Sequence, residues 1–219
     1  MKTCVIMQPT YLPWLGYFNL IERSDVFVFL DHVQFSKQSW QQRNRIRDKS
    51  GVQLLTIPVK GKKNELLKIK DVEIDLRQIP LVKHLKSIEN NYRKSKNFDV
   101  VFSNLFEIYN RNYIRLQDLN VDLILLGCRL MNIPINYKFS SSYELSGDKV
   151  EVLIDICQRE NADHYLSPIG SKEYIDENNI FHLHNIQLEY QNYTPPEYKQ
   201  MNYNDFISHL SFIDYLFNI

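Results

Sequence analysis

The chain has 219 residues, 44% hydrophobic, 24% charged and 13% aromatic, with 26 Lys plus Arg against 26 Asp plus Glu. A formal net charge of zero gives no whole-molecule attraction to nucleic acid, so none is expected as a partner and any anion site must be local. No apolar run approaches the roughly 18 residues of a membrane span. The three cysteines (Cys4, Cys128, Cys157) are too scattered for a disulfide framework or a paired metal site.

The first residues lack a basic segment followed by a long apolar core, so export is not expected; a reducing cytoplasm is. A short apolar run (residues 5–7) predicts a strand that ends in a polar, proline-punctuated turn from Gln8 to Pro13. An amphipathic stretch (14–23) predicts a helix. A second apolar run (26–30) ends in Asp31, His32 and Gln34. Polar residues thus sit at both strand ends, where open parallel sheets bind ligands. Residues 54–59 predict a strand with Pro58 at its end or on an edge. A polar turn (61–65) and an alternating stretch (67–76), read as an irregular strand, follow.

From Pro80 the period becomes helical: Leu81, Leu85, Ile88 and Tyr92 share a face. Further helices are predicted over 99–109 and 116–131, the last stopped by Asn132 and Pro134. A strand (135–139) ending in three serines, a helix (149–158) capped from within 146–148, and a strand (164–166) come next. A short helix (173–178), a late strand around Leu188 and Tyr190 and a C-terminal helix (206–217) complete the chain. Alternating strands and helices argue for an α/β parallel sheet. With no repeat or linker, one domain over 1–219 is expected, with a helical insertion at roughly 80–130.

Several motifs together carry a resemblance over nearly the whole chain. They are Gln8-Pro9-Thr10-Tyr11-Leu12-Pro13-Trp14-Leu15-Gly16-Tyr17-Phe18, Val33-Gln34-Phe35, Gln42-Arg43-Asn44-Arg45-Ile46, Lys83-His84, Tyr165-Leu166-Ser167 and Leu210-Ser211-Phe212-Ile213-Asp214-Tyr215-Leu216-Phe217-Asn218. With them the chain resembles the WbqC-like family of bacterial surface-glycan gene clusters. Two positions depart from the pattern: His32 stands where Asp or another polar residue is expected, and Pro168 where Gly is. The resemblance implies work beside enzymes that make nucleotide-linked amino sugars, and hence N-acylation or aminoacylation of such a sugar. The opening segment is also similar to nucleotidyltransferase-type enzymes such as pantothenate synthetases. This implies a Rossmann-related, nucleotidyltransferase-like parallel sheet. In those enzymes a His follows the Gly and contacts ATP phosphates; here Tyr17 follows Gly16, so that role does not carry over.

Candidate site residues gather at strand ends. Gln8, Tyr11 and Tyr17 suit the polar edge of a sugar or nucleotide, the alternative being a rigid turn shaped by Pro9 and Pro13. Beyond Gln34, a basic segment of Lys37, Arg43, Asn44, Arg45 and Arg47 suits pyrophosphate oxygens, or is a solvated loop. His32 and His84 are the general-base candidates, since imidazole titrates near neutrality. Asp31 is either the alternative base or the group orienting a histidine. Ser142 is a candidate phosphate or acceptor contact, and Ser167 and Tyr174 are expected on the same sheet edge as Gln8 and Asp31. His182 and His184 would share a strand face, but without a third ligand no metal is expected. Cys157 reads as a buried small hydrophobe.

The expected function is a transferase that forms an amide on a nucleotide-linked amino sugar. Its acyl donor would be a thioester of coenzyme A or of an acyl carrier protein. An adenylate-forming or nucleotidyl-transferring enzyme using ATP, and a non-catalytic glycan-pathway binding protein, are the alternatives.

Overall fold

The computed structural model describes residues 1–61, 66–176, 180–201, 203 and 205–219, apart from the side chains of residues 174 and 176. Beyond Gly61 the expected 61–65 turn lies outside them, as do residues 177–178 of the expected short helix. The elements are β1 (Thr3–Met7), α1 (Leu15–Glu22), β2 (Val26–Phe29), β3 (Arg43–Asp48), β4 (Gly51–Thr56), α2 (Pro80–Tyr92), α3 (Phe98–Tyr109) and α4 (Leu116–Leu130). They continue with β5 (Tyr137–Phe139), α5 (Lys149–Arg159), β6 (His164–Ser167), α6 (Lys172–Asp176), β7 (Gln187–Tyr190) and α7 (Phe212–Asn218). The chain forms two compact units. One holds Met1–Gln8, Gly16–His32 and Ile133–Thr194; the other holds Pro9–Leu15, Val33–Asn132 and Pro195–Ile219.

The first unit is built on a five-stranded sheet ordered β5-β2-β1-β6-β7, with every pair parallel. Numbered by appearance within the sheet, the order is 3-2-1-4-5, that of a doubly wound Rossmann-like α/β fold. Both faces of β1 and β2 are covered, which is why they read as continuous apolar runs. Register places Cys4 beside Val26 and Tyr165. This layer, with Ile6 and Val28, packs on Val150, Leu153, Ile154 and Cys157 of α5. On the opposite face the Phe27 ring meets Tyr17 of α1 at 5.5 Å and Phe29 stacks on Phe139 at 5.5 Å. Helix α5 begins at a reciprocal cap: Asp148 accepts from Val150 N–H, and Glu151 accepts from the Asp148 N–H.

In the second unit β3 and β4 pair antiparallel, with Asp48 opposite Gly51. Gly51 takes φ +122°, open to glycine alone without strain, and Asp48 Oδ1 accepts from Ser50 N–H at 2.9 Å. Pro80 opens α2, whose inner face is Leu81, His84, Leu85, Ile88 and Tyr92. Tyr92 stacks on Phe217 of α7, 4.5 Å between centroids and 11° from parallel.

Several expected elements are corrected. Residues 67–76 form the 3-10 turns Ile69–Asp71 and Leu76–Gln78 with isolated bridges such as Val59 to Ile74. Their alternation reflects burial of Ile69, Val72 and Ile74 without a continuous ladder. The strand expected at 54–59 begins earlier and ends before Pro58, which has no N–H to donate. The basic segment is not a loop; Arg43 to Asp48 is strand β3. His182 and His184 lie in the 3-10 turn Phe181–His184 rather than on a strand. The C-terminal helix starts at Phe212, because Ser211 caps it and His209 takes φ +58°.

Candidate functional site

Since the strands of the first unit all run one way, their carboxyl ends share an edge. That edge carries Gln8 after β1, Asp31 and His32 after β2, the Ser140–Ser142 turn after β5, and Ser167 at the end of β6. Asp31 is only 1% exposed. It accepts from Ser140 Oγ at 2.9 Å, Ser141 N–H at 2.8 Å and Ser141 Oγ at 2.6 Å. Ser140 Oγ in turn accepts from the Asp31 N–H at 2.9 Å and lies 2.6 Å from His32 Nδ1.

Proton counting fixes the direction of this chain. A carboxylate only accepts, so the single Ser140 hydroxyl proton goes to Asp31. His32 Nδ1 must then carry the proton it shares with Ser140. The arrangement ties Nδ1 of a half-buried imidazole to a buried carboxyl group through one hydroxyl.

The other candidates on this unit are held locally. Tyr17 donates its hydroxyl to the Gln8 carbonyl at 3.0 Å, fastening α1 to the end of β1. Ser142 Oγ donates to the Phe139 carbonyl at 2.6 Å. Ser167 is fully buried and bonded to the hydroxyl of Ser171, which donates to the Pro168 carbonyl at 2.7 Å. The backbone of Tyr174 lies in α6, and its side chain is outside the described residues.

The remaining candidates belong to the second unit. Tyr11 is buried, its hydroxyl 2.7 Å from His84 Nδ1 and also bonded to Tyr109. Burial holds the His84 pKa down to about 4, against a partly opposing hydrogen bond involving the Thr56 backbone. His84 is therefore neutral at pH 7 and a weak base. Asn44 points inward and donates to the Tyr11 carbonyl at 3.1 Å. Arg43 and Arg45 alternate with it on the other face of β3. Arg45 Nη2 donates to the His209 carbonyl at 3.3 Å. Gln34 and Lys37 are exposed; Gln34 bridges Lys68, and Lys37 Nζ lies 3.4 Å from the Gly61 carbonyl.

The family model of the WbqC-like proteins matches residues 8–219. The chain belongs to the WbqC-like family. An uncharacterized protein of Mycobacterium tuberculosis is 33% identical over 227 residues, covering 100% of this chain and 94% of that relative. No solved structure matches the chain.

In this WbqC-like chain, sequence reasoning singled out Asp31 and His32 but chose Ser142 from the serine triplet. The residue joining the two is Ser140. The triplet reads identically at each position, and only the 3-10 turn turns the first serine inward, where it is fully buried. Among the described residues no group of three or more His, Cys, Asp or Glu is placed to hold a metal ion, and no helix is long and apolar enough to cross a membrane.

Proposed function

We propose that this WbqC-like protein is a transferase of surface-glycan biosynthesis that forms an amide on a nucleotide-linked amino sugar. The observation that carries this reading is the hydrogen-bonded chain from Asp31 through Ser140 to His32. A sugar ammonium must lose one proton to solvent before its nitrogen can attack an acyl group, and the amine loses a second as the amide forms, which an oriented imidazole is suited to take. The nitrogen attacks the carbonyl carbon of a thioester on coenzyme A or an acyl carrier protein. As the new C–N bond forms and the C–S bond breaks, the proton leaving nitrogen goes to His32 Nε2 and then to the departing thiolate. The negative charge of Asp31, relayed through Ser140, stabilises the transient imidazolium. His84 is the poorer base, because burial lowers its basicity and Tyr11 engages its Nδ1.

The test is incubation with UDP- and dTDP-linked amino sugars and a panel of acyl and aminoacyl thioesters, read by mass spectrometry. A mass gain equal to one acyl group is expected, lost in His32→Ala; no gain with any donor overturns the reading. Strand order favours a second reading, adenylate formation or nucleotidyl transfer, since the edge between β1 and β6 is the switch point where doubly wound sheets bind nucleotides. Magnesium-dependent heat on titration with ATP, without acyl transfer, would favour it.

A further inference from the structure

The chain has two tryptophans, and both belong to one cluster of the second unit. The Trp14 ring lies 4.8 Å from that of His209, 31° from parallel. The guanidinium carbon of Arg45 sits 5.4 Å from the Trp40 ring centre, and the same side chain donates to the His209 carbonyl at 3.3 Å. Backbone bonds clamp these sequence-distant segments together. Tyr11 N–H donates to the Trp40 carbonyl at 3.0 Å, Ser211 N–H to the Arg45 carbonyl at 2.9 Å, and Phe212 N–H to the Pro13 carbonyl at 2.8 Å.

Despite this clamping, Trp40 is 50% exposed and His209 is exposed. The Trp40 indole is thus half open to solvent beside a guanidinium that is itself bonded to the backbone. Beside it Arg43 and Arg45 share one face of β3. Arg45 Nε–H is buried and has no hydrogen-bond partner among the described residues. Ring faces next to fixed cations match a ligand that is flat at one end and anionic at the other. A neutral glycan would use the rings and leave the arginines without a counter-charge.

We propose that this cluster is a nucleoside diphosphate site, in which Trp40 stacks on the base, Trp14 and His209 wall the ring, and Arg45 with Arg43 holds the phosphates. Indole stacking accepts any base face, and guanidinium forks suit phosphate oxygens. The inference does not depend on the amide chemistry proposed above.

Both tryptophans report on the cluster, so intrinsic fluorescence is titrated with UDP, dTDP, GDP, CDP and ADP, and with pyrophosphate and uridine separately. At least one nucleoside diphosphate is expected to change the emission saturably and to bind about tenfold tighter than pyrophosphate or uridine. Trp40→Leu and Arg45→Gln should each weaken it by about tenfold, with unchanged circular dichroism. Flat titrations with all five nucleotides, or pyrophosphate binding as tightly as the best of them, overturn the proposal. Should Trp40→Leu not fold, calorimetry on the wild-type protein decides by the same order of affinities. Amide formation is not read in these titrations, so either proposal can fail alone.

Discussion

Nδ1 of His32 lies 2.6 Å from Oγ of Ser140, whose proton is committed to the buried Asp31 carboxylate. Removing the hydroxyl in Ser140→Ala deprives Asp31 of one donor and unties the imidazole from it. On the proposed amide chemistry, the rate is expected to fall by about 10–100-fold, with a smaller change in the KM for the amino sugar. His32→Ala removes the proposed base and should cost roughly 10²–10⁴ in rate. Initial rates with saturating thioester check both; equal activity of His32→Ala and wild type would remove the histidine from the mechanism.

His84 predicts a distinct acid sensitivity. Its pKa is about 4 in the fold because burial disfavours the imidazolium, against about 6.5 in an unfolded chain. Between these values the unfolded state binds more protons, so stability rises with pH across this window and is lost as pH falls from about 6.5 towards 4. The loss is on the order of 3 kcal/mol. Urea midpoints measured from pH 7 to pH 4 should fall less steeply in His84→Gln than in the wild type.

Asp214 is the buried hub of α7. Its carboxylate accepts from Tyr92 and Tyr198, each at 2.6 Å, and from Gln200 at 2.9 Å. Burial nevertheless holds its pKa above the usual carboxylate value, outweighing those donors. Asp214→Ala strands three donors and should destabilise by roughly 3 kcal/mol or more. Asp214→Asn, which keeps one acceptor oxygen, should fall between it and the wild type in denaturant unfolding.

The cap of α5 gives a smaller effect. Asp148→Ala removes the acceptor of the Val150 N–H and should cost about 1 kcal/mol. The melting temperature should drop by roughly 2–4 °C for a chain of this length, read by circular dichroism.

Strands β1 and β2, helices α2 to α5 and the edge position of Gln8, Asp31 and His32 were legible because their signals are local. Continuous apolar runs, period-3.6 leucines, Pro80 and Asp148 act within a few residues of themselves. Strand β3 was missed because arginines fill one face of the pair, and its inward positions, Asn44 and Ile46, are too few to show a pattern. Which serine of 140–142 turns inward, and the start of the last helix at Phe212 rather than 206, were not legible for a related reason. A polar triplet and a mixed segment carry no periodicity, and a tertiary hydrogen bond or a cap decides them.

By itself the sequence determined the α/β class, the alternation of elements, the polar strand ends and the family. These follow from periodicity, breakers and motif spacing, which are properties of neighbouring residues. Only the tertiary structure decided that Ser140 joins Asp31 to His32 from 108 or more residues away, that His84 is buried and weakly basic, and that Trp14, Trp40, Arg45 and His209 form one cluster. Those relationships depend on strand order and on which buried polar groups find partners across the fold, and no local pattern in the chain encodes either.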